Sequence, residues 1–290
     1  MLRRAATLVV VPLLSIVGHE VWALTVHFRY KSSPPDPTRV MRAVRYSEHG
    51  DTKVLSVVKD APQPLSPAGP NTLIIKVAGA ALNPVDFKMR RNVQPDLMIP
   101  KPKIPGYDIS GTVANAGSGM HGFKIGDHVY GMLPIVGSPW GGLAEYAVAD
   151  ASVFAHAPTS IPLVDAAALP LVSLTVMQVF DAAGLVPPSD VNTEAPRRAL
   201  VQAASGGVGT FAVQYLRRVL KFEEVLGTTS APNADLVTSL GATRTIDYRT
   251  ERFEGDHAPS PTLDSLGGFA HVSHVRPLVC CSRRGVRRRR

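Results

Sequence analysis

Ser205-Gly206-Gly207-Val208-Gly209 is the stretch of this chain best suited to chemistry. Glycines at this density let backbone N–H groups approach a diphosphate without side-chain obstruction, and a helix starting there adds partial positive charge. Gly206 and Gly207 would admit the phosphates, and Gly209 would let helix and strand pack closely. A glycine cluster also suits an ordinary tight turn, so its surroundings must decide. An NAD site carries a ribose-binding carboxylate roughly 20 residues past the glycines. Here Gly227, Thr228, Thr229 and Ser230 occupy that region, with no acidic residue until Asp235. Without that carboxylate a ribose 2′-phosphate meets no repulsion, and the hydroxyls of Thr229 and Ser230 can donate to it. No Lys or Arg lies in the same loop. The pattern favours NADPH over NADH.

Such a loop works only if strands and helices hold it. A short apolar run, Ala199 to Ala203, precedes the glycines and suits a buried parallel strand. Phe211, Val213, Tyr215, Leu216 and Leu220 follow with helical spacing. A second strand is predicted over Val225 to Thr228, a helix over Asn233 to Leu240 and a third strand over Thr243 to Asp247. This βαβ order is that of a Rossmann half-domain. Upstream, from Met41 to about Pro158, short β-like runs such as Leu73 to Val77 and Gly111 to Ala114 are cut by Gly and Pro. From Val164 to Ala183 the pattern turns helical, with Pro170 expected to kink or interrupt it and Gly184 suited to a C-cap. A polar loop, Pro187 to Pro196, then leads to the first Rossmann strand.

Four motifs in the upstream region carry a family resemblance. They are Ala81-Leu82-Asn83-Pro84-Val85-Asp86-Phe87-Lys88, Ile104-Pro105-Gly106-Tyr107-Asp108-Ile109-Ser110-Gly111, Phe123-Lys124-Ile125-Gly126-Asp127-His128-Val129-Tyr130-Gly131 and Gly142-Leu143-Ala144-Glu145-Tyr146. Their order and spacing resemble the zinc-independent, quinone-oxidoreductase-like branch of the medium-chain dehydrogenase/reductase superfamily, from about Met41 to Phe253. The resemblance implies an α/β architecture: a GroES-like β-rich catalytic domain over 41–163, then an incomplete Rossmann domain, a doubly wound parallel sheet, over 164–268. It implies an active site in the cleft between the two.

Residue roles follow from that resemblance. Asn83 and Lys88 would sit near the nicotinamide, with Lys88 bonding the cofactor ribose or the oxyanion developing on a carbonyl. Read by themselves, Asn83 also suits a turn cap before Pro84 and Lys88 a solvated surface. Asp86 is expected to order the Asn-Pro turn, and Tyr107 to line the pocket or pack in the core. Thr175 matches a position facing the nicotinamide. Thr229, Ser230 and Asn233 match the surroundings of the adenosine phosphate, and Tyr248 matches a tyrosine packed near it, although a strand-end core position suits it too. Where zinc-dependent relatives carry a Cys and a His, this chain has Asn83 and Asp86, and its two cysteines, Cys280 and Cys281, are adjacent in the tail. No metal is therefore expected.

The two ends differ from this body. Residues 1–40 combine Arg3 and Arg4, an apolar run from Ala5 to Phe28 broken by His19, Glu20 and His27, and a Pro-rich linker. The run favours a single-pass signal anchor and membrane association, with mitochondrial or secretory targeting as alternatives. Only 42 residues follow Tyr248 (290 minus 248), too few for a second Rossmann half. Thr262 to Gly268 resembles the family's fourth strand and turn. Residues 269–290 form an Arg-rich tail outside the family pattern, leaving open sheet edges. Seven arginines fall in the last 15 residues, and without them the net charge drops from +8 to +1. The tail has no aromatic interleaving, so specific nucleic-acid recognition is not expected. The expected activity is NADPH-dependent reduction of a quinone or other α,β-unsaturated carbonyl. An enoyl-thioester reductase and an inactive truncated remnant are the alternatives.

Overall fold

The computed structural model describes residues 35–64, 70–92, 101–119, 122–135, 138–183, 185 and 198–251, with the backbone of 269–270 and 279–282. It divides into two units, residues 1–171 and 172–290. In the first, β1 (Pro35–Arg45) and β2 (Ser56–Pro64) pair antiparallel. β3 (Thr72–Ala81), β4 (Asp108–Ala116), β5 (His128–Met132), β6 (Tyr146–Asp150) and β7 (Phe154–His156) form a second antiparallel sheet in the order β6-β3-β4-β5-β7. The run Leu73-Ile74-Ile75 is apolar throughout because β3 is buried on both faces. Leu73 and Ile75 pack with Ile109, Val113 and Val129, while Ile74 packs with Met41, Ile104 and Trp140. At about 25 cal/mol per Å² of apolar surface, such two-sided burial is what holds a sheet of short strands together.

Between β3 and β4 lies α1 (Pro84–Arg90). Pro84 occupies its first position, where the missing N–H costs nothing, and Asn83 is the extended N-cap residue. Met89 anchors the helix by packing on Tyr107. Two further helices, α2 (Leu163–Ala166) and α3 (Pro170–Ala182), occupy the helical stretch expected over 164–183, interrupted before Pro170. Pro170 begins α3 rather than bending a longer helix, because proline disfavours helical backbone in the residue before it.

The second unit holds the βαβ arrangement. β8 (Arg198–Val201), β9 (Glu224–Thr229) and β10 (Arg244–Asp247) are parallel in the order β10-β9-β8. α4 (Gly207–Gln214) continues through a π-turn at Tyr215–Val219, and α5 (Ala234–Ser239) links β9 to β10. Val201, Val213, Leu216, Val225 and Val237 form the core with Val176 and Phe180 of α3. On the other side of β8, where the sequence suggests an open edge, β12 (Val279–Ser282) pairs antiparallel and β11 (Phe269–Ala270) follows it. Unpaired strand N–H and C=O groups need partners, and part of the tail supplies them.

The expected C-cap at Gly184, the loop 187–196, the fourth strand at 262–268, the arginine run 283–290 and the apolar run 5–28 lie outside the described residues. Among the described residues no helix is long and apolar enough to cross a membrane.

Candidate functional site

In the first unit the motif residues form one buried polar network. Asn83 donates its backbone N–H to Asp86 Oδ2 at 2.7 Å, and Gly106 donates to Asp86 Oδ1 at 2.7 Å. Gly106 has a φ of +88°, a conformation glycine adopts without strain, which lets the 101–106 segment turn its N–H inward. Asn83 Nδ2 donates to Asp108 Oδ2 at 2.8 Å, and the Leu171 N–H donates to both Asp108 oxygens at 3.1 Å. Burial pushes the Asp108 carboxyl up to about 6, against the lowering effect of the Asn83 and Leu171 donors, with the neighbouring Asp86 adding to the rise. Burial also raises Asp86, opposed by the Asn83 and Gly106 amides and by Lys103.

Lys103 escapes a reading based on motifs. It is 0% exposed, its ammonium donates to the Ser138 carbonyl, and it lies 5.0 Å from the centroid of the Tyr107 ring. Cation–π contact and a carbonyl acceptor replace the water it has lost. Tyr107 itself is a core residue, packed on Met89. The sequence placed Lys103 in a Lys-Pro-Lys run that reads as surface, and no local pattern marks it as buried. Lys88 is exposed, with no hydrogen bond or ion pair among the described residues.

In the second unit the glycine loop joins β8 to α4. Gly206 is the N-cap of α4, so the N–H groups of Gly207, Val208 and Gly209 open the helix and have no intrahelical acceptor. A Cβ on Gly209 would stand 2.3 Å from the Ala203 carbonyl oxygen and 2.7 Å from Ala204 Cα, so only glycine fits. Ala203 takes a left-handed φ of +50°, which costs a non-glycine residue about 1 kcal/mol. Its N–H is held by Thr228 Oγ1 at 3.0 Å, and the Ala204 N–H by the Thr228 carbonyl at 2.9 Å. Val172, in the first turns of α3, abuts Gly207, and half-buried Thr175 lies one turn further on.

Around the end of β9, Asn233 Nδ2 lies 3.4 Å from both Ser205 Oγ and Ser230 Oγ. These contacts are long for hydrogen bonds. Thr229 is 1% exposed, and its hydroxyl has no partner among the described residues. The structure thus brings Ser205, Thr229, Ser230 and Asn233 together beside the glycine loop. Tyr248 follows β10, its N–H donating to the Thr229 carbonyl at 3.4 Å and its side chain 56% exposed, so it is not a core residue. The polar cluster, the close-approach glycine and the orphan hydroxyl fit a phosphorylated dinucleotide.

Comparison with known proteins agrees on the lineage. Residues 69–159 match the alcohol dehydrogenase GroES-like domain family. The chain is 35% identical over 243 residues to the Arabidopsis thaliana chloroplast envelope quinone oxidoreductase homolog, covering 82% of this chain and 70% of that one. It is 35% identical over 218 residues to the chloroplastic NADPH-dependent alkenal/one oxidoreductase of the same plant, covering 74% of this chain and 54% of that one. The Escherichia coli quinone oxidoreductase, solved in complex with NADPH, superposes with a TM-score of 0.58 at 25% identity, covering 73% of this chain and 60% of that one. The chain therefore spans between 54% and 70% of the length of these curated relatives.

The expectation of a membrane-associated chain is overturned here. Relatives named for the chloroplast or the mitochondrion are the finding that overturns it. The apolar run 5–28, outside the described residues, is interrupted by His19, Glu20 and His27, groups that hydrocarbon disfavours strongly. Its length alone did not specify an anchor. Its motifs, its GroES-like match and its identity to the Arabidopsis quinone oxidoreductase homolog together establish that the chain belongs to the quinone-oxidoreductase-like branch of the medium-chain dehydrogenase/reductase superfamily.

Proposed function

We propose that this chain is an NADPH-dependent reductase of quinones or other α,β-unsaturated carbonyls that works without zinc. The observation that carries the reading is the Ser205, Thr229, Ser230 and Asn233 cluster, which has hydroxyls and an amide where an NAD site needs a carboxylate. NADPH supplies a hydride when bound. The amides of Gly207, Val208 and Gly209 would hold its diphosphate, and Gly206 keeps that approach open. Thr229, Ser230, Asn233 and Tyr248 would hold the 2′-phosphate. Thr175 would orient the nicotinamide. The catalytic role rests with Lys88, and Asn83 is a positioning residue. Lys88 Nζ would donate to the oxygen that gains charge as the carbonyl is reduced. Asn83, tied to Asp108, would hold the start of α1 in place.

The zinc-independent part rests on residue type and occupancy. Asn83 and Asp86 stand where zinc-binding relatives carry metal ligands, and both Asp86 oxygens already accept backbone N–H groups. The names of the Arabidopsis alkenal/one oxidoreductase and of the NADPH-bound Escherichia coli enzyme support the cofactor and substrate class. Competitive titration of NADPH against NADH tests the cofactor, and side-by-side assays with a quinone, an enone and an enoyl thioester test the substrate. A preference for NADH, or turnover of the thioester alone, overturns the proposal. One zinc bound tightly per purified chain overturns its metal-free part.

A further inference from the structure

We propose that Arg249 supplies the positive charge that the 229–233 loop lacks and thereby sets the preference for a 2′-phosphorylated dinucleotide. This rests on the NADPH reading above. The loop offers only neutral donors, and neutral hydrogen bonds to a phosphate are weaker than those of a charged donor. A cation must come from a neighbouring segment if the discrimination is to be large.

β9 and β10 run parallel, with Asp247 opposite Thr229, so the segments that leave them emerge side by side. The contact is tightened by the Ala231 N–H, which donates to Asp247 Oδ2 at 3.2 Å, and by the Tyr248 N–H on the Thr229 carbonyl. Arg249 is the next residue along. Its guanidinium carbon lies 5.9 Å from the centroid of the Tyr248 ring, within the reach of a cation–π contact. Tyr248 and Arg249 are both exposed, so neither is spent on the core.

Among the described residues, two other cations near these strands, Arg244 and Arg217, are engaged elsewhere. Arg244 lies 3.8 Å from Glu251, and Arg217 donates to the carbonyls of Phe222 and Glu223. Arg249 has no ion pair among the described residues. The Asp247 carboxylate beside it accepts the Ala231 and Arg249 amides, which offset its charge. A planar guanidinium resting on the Tyr248 ring can turn two N–H groups towards a phosphate.

The test is fluorescence titration of the full chain with NADPH and with NADH, for the wild type, Arg249→Gln and Arg249→Lys. Arg249→Gln is expected to raise the NADPH Kd about ten-fold, to leave NADH affinity unchanged and to flatten the salt dependence of NADPH binding. Arg249→Lys is expected to keep most of the preference. Wild-type preference for NADPH with unaltered affinity in Arg249→Gln overturns the inference and spares the cofactor reading. Equal loss for both dinucleotides overturns it as well, because that reports stacking or packing rather than charge. A wild type that does not prefer NADPH removes the cofactor reading and the inference together.

Discussion

The polar clusters of the two units each hold an asparagine and are finished differently. Around Asn83, the carboxylates of Asp86 and Asp108 accept short bonds of 2.7 to 3.1 Å from their neighbours. Around Thr229, the contacts stretch to 3.4 Å and a buried hydroxyl has no described partner. A cluster whose acceptors are filled holds backbone in place. One with unspent donors beside open helix N–H groups suits an incoming anion. Contact length separates scaffold from binding site better than residue type alone does, because asparagine occurs in both clusters, as Asn83 and Asn233.

The strongest way to break the contrast is to fill the close approach at the glycine loop. Gly209→Val is expected to cost roughly 3 kcal/mol and to abolish NADPH binding, since its side chain would collide with the Ala203 and Ala204 backbone. Urea unfolding and cofactor titration read the two effects, and unchanged stability would contradict the packing described.

On the scaffold side, Asp108 makes a pH prediction. Its carboxyl is pushed up to about 6, chiefly by burial, so the folded chain holds the proton more tightly than the unfolded chain. Its stabilising contribution is therefore full below the ordinary carboxylate value and is lost as pH rises through about 6. Between pH 4 and pH 7 the wild type should lose roughly 2–3 kcal/mol more unfolding free energy than Asp108→Asn. Parallel profiles for the two proteins would refute it.

Asp86→Ala sharpens the same side. The Asn83 and Gly106 N–H groups would lose their acceptors, which should cost roughly 2 kcal/mol, measured by the denaturation midpoint. The smallest effect separates the two clusters best. Thr229→Val removes a hydroxyl that has no described partner, so the apoprotein should gain up to about 1 kcal/mol while NADPH binding weakens. A destabilised apoprotein would mean that the hydroxyl is a structural group.

Legibility followed distance along the chain. The glycine loop, β9, α5 and β10 were readable because each depends on spacing within a few residues, and β9 and β10 fall within a residue of the expected limits. The helix α1 was not anticipated among the β-like runs, because Asn83-Pro84 suits a capped turn as well as a helix start. The bond from Asn83 to Asp108 spans 25 positions and that from Leu171 to Asp108 spans 63, and no local pattern encodes either. Pro170 marked a kink or an interruption, and the structure shows the interruption; the sequence left the choice open because a proline can kink a helix or begin one. The apolar run 5–28 misled because length and hydropathy are necessary for a membrane span and not sufficient.

Residue order by itself determined the family, the βαβ order and the want of a carboxylate after β9, since each is a property of residue identity at short spacing. Only the tertiary structure decided that Lys103 is buried under Tyr107, that Asp108 reaches both Asn83 and Leu171, and that the end of β10, which leads to Arg249, lies beside the end of β9. Burial and charge proximity arise when distant segments pack, and a carboxyl or an ammonium takes its properties from those neighbours rather than from its own sequence context.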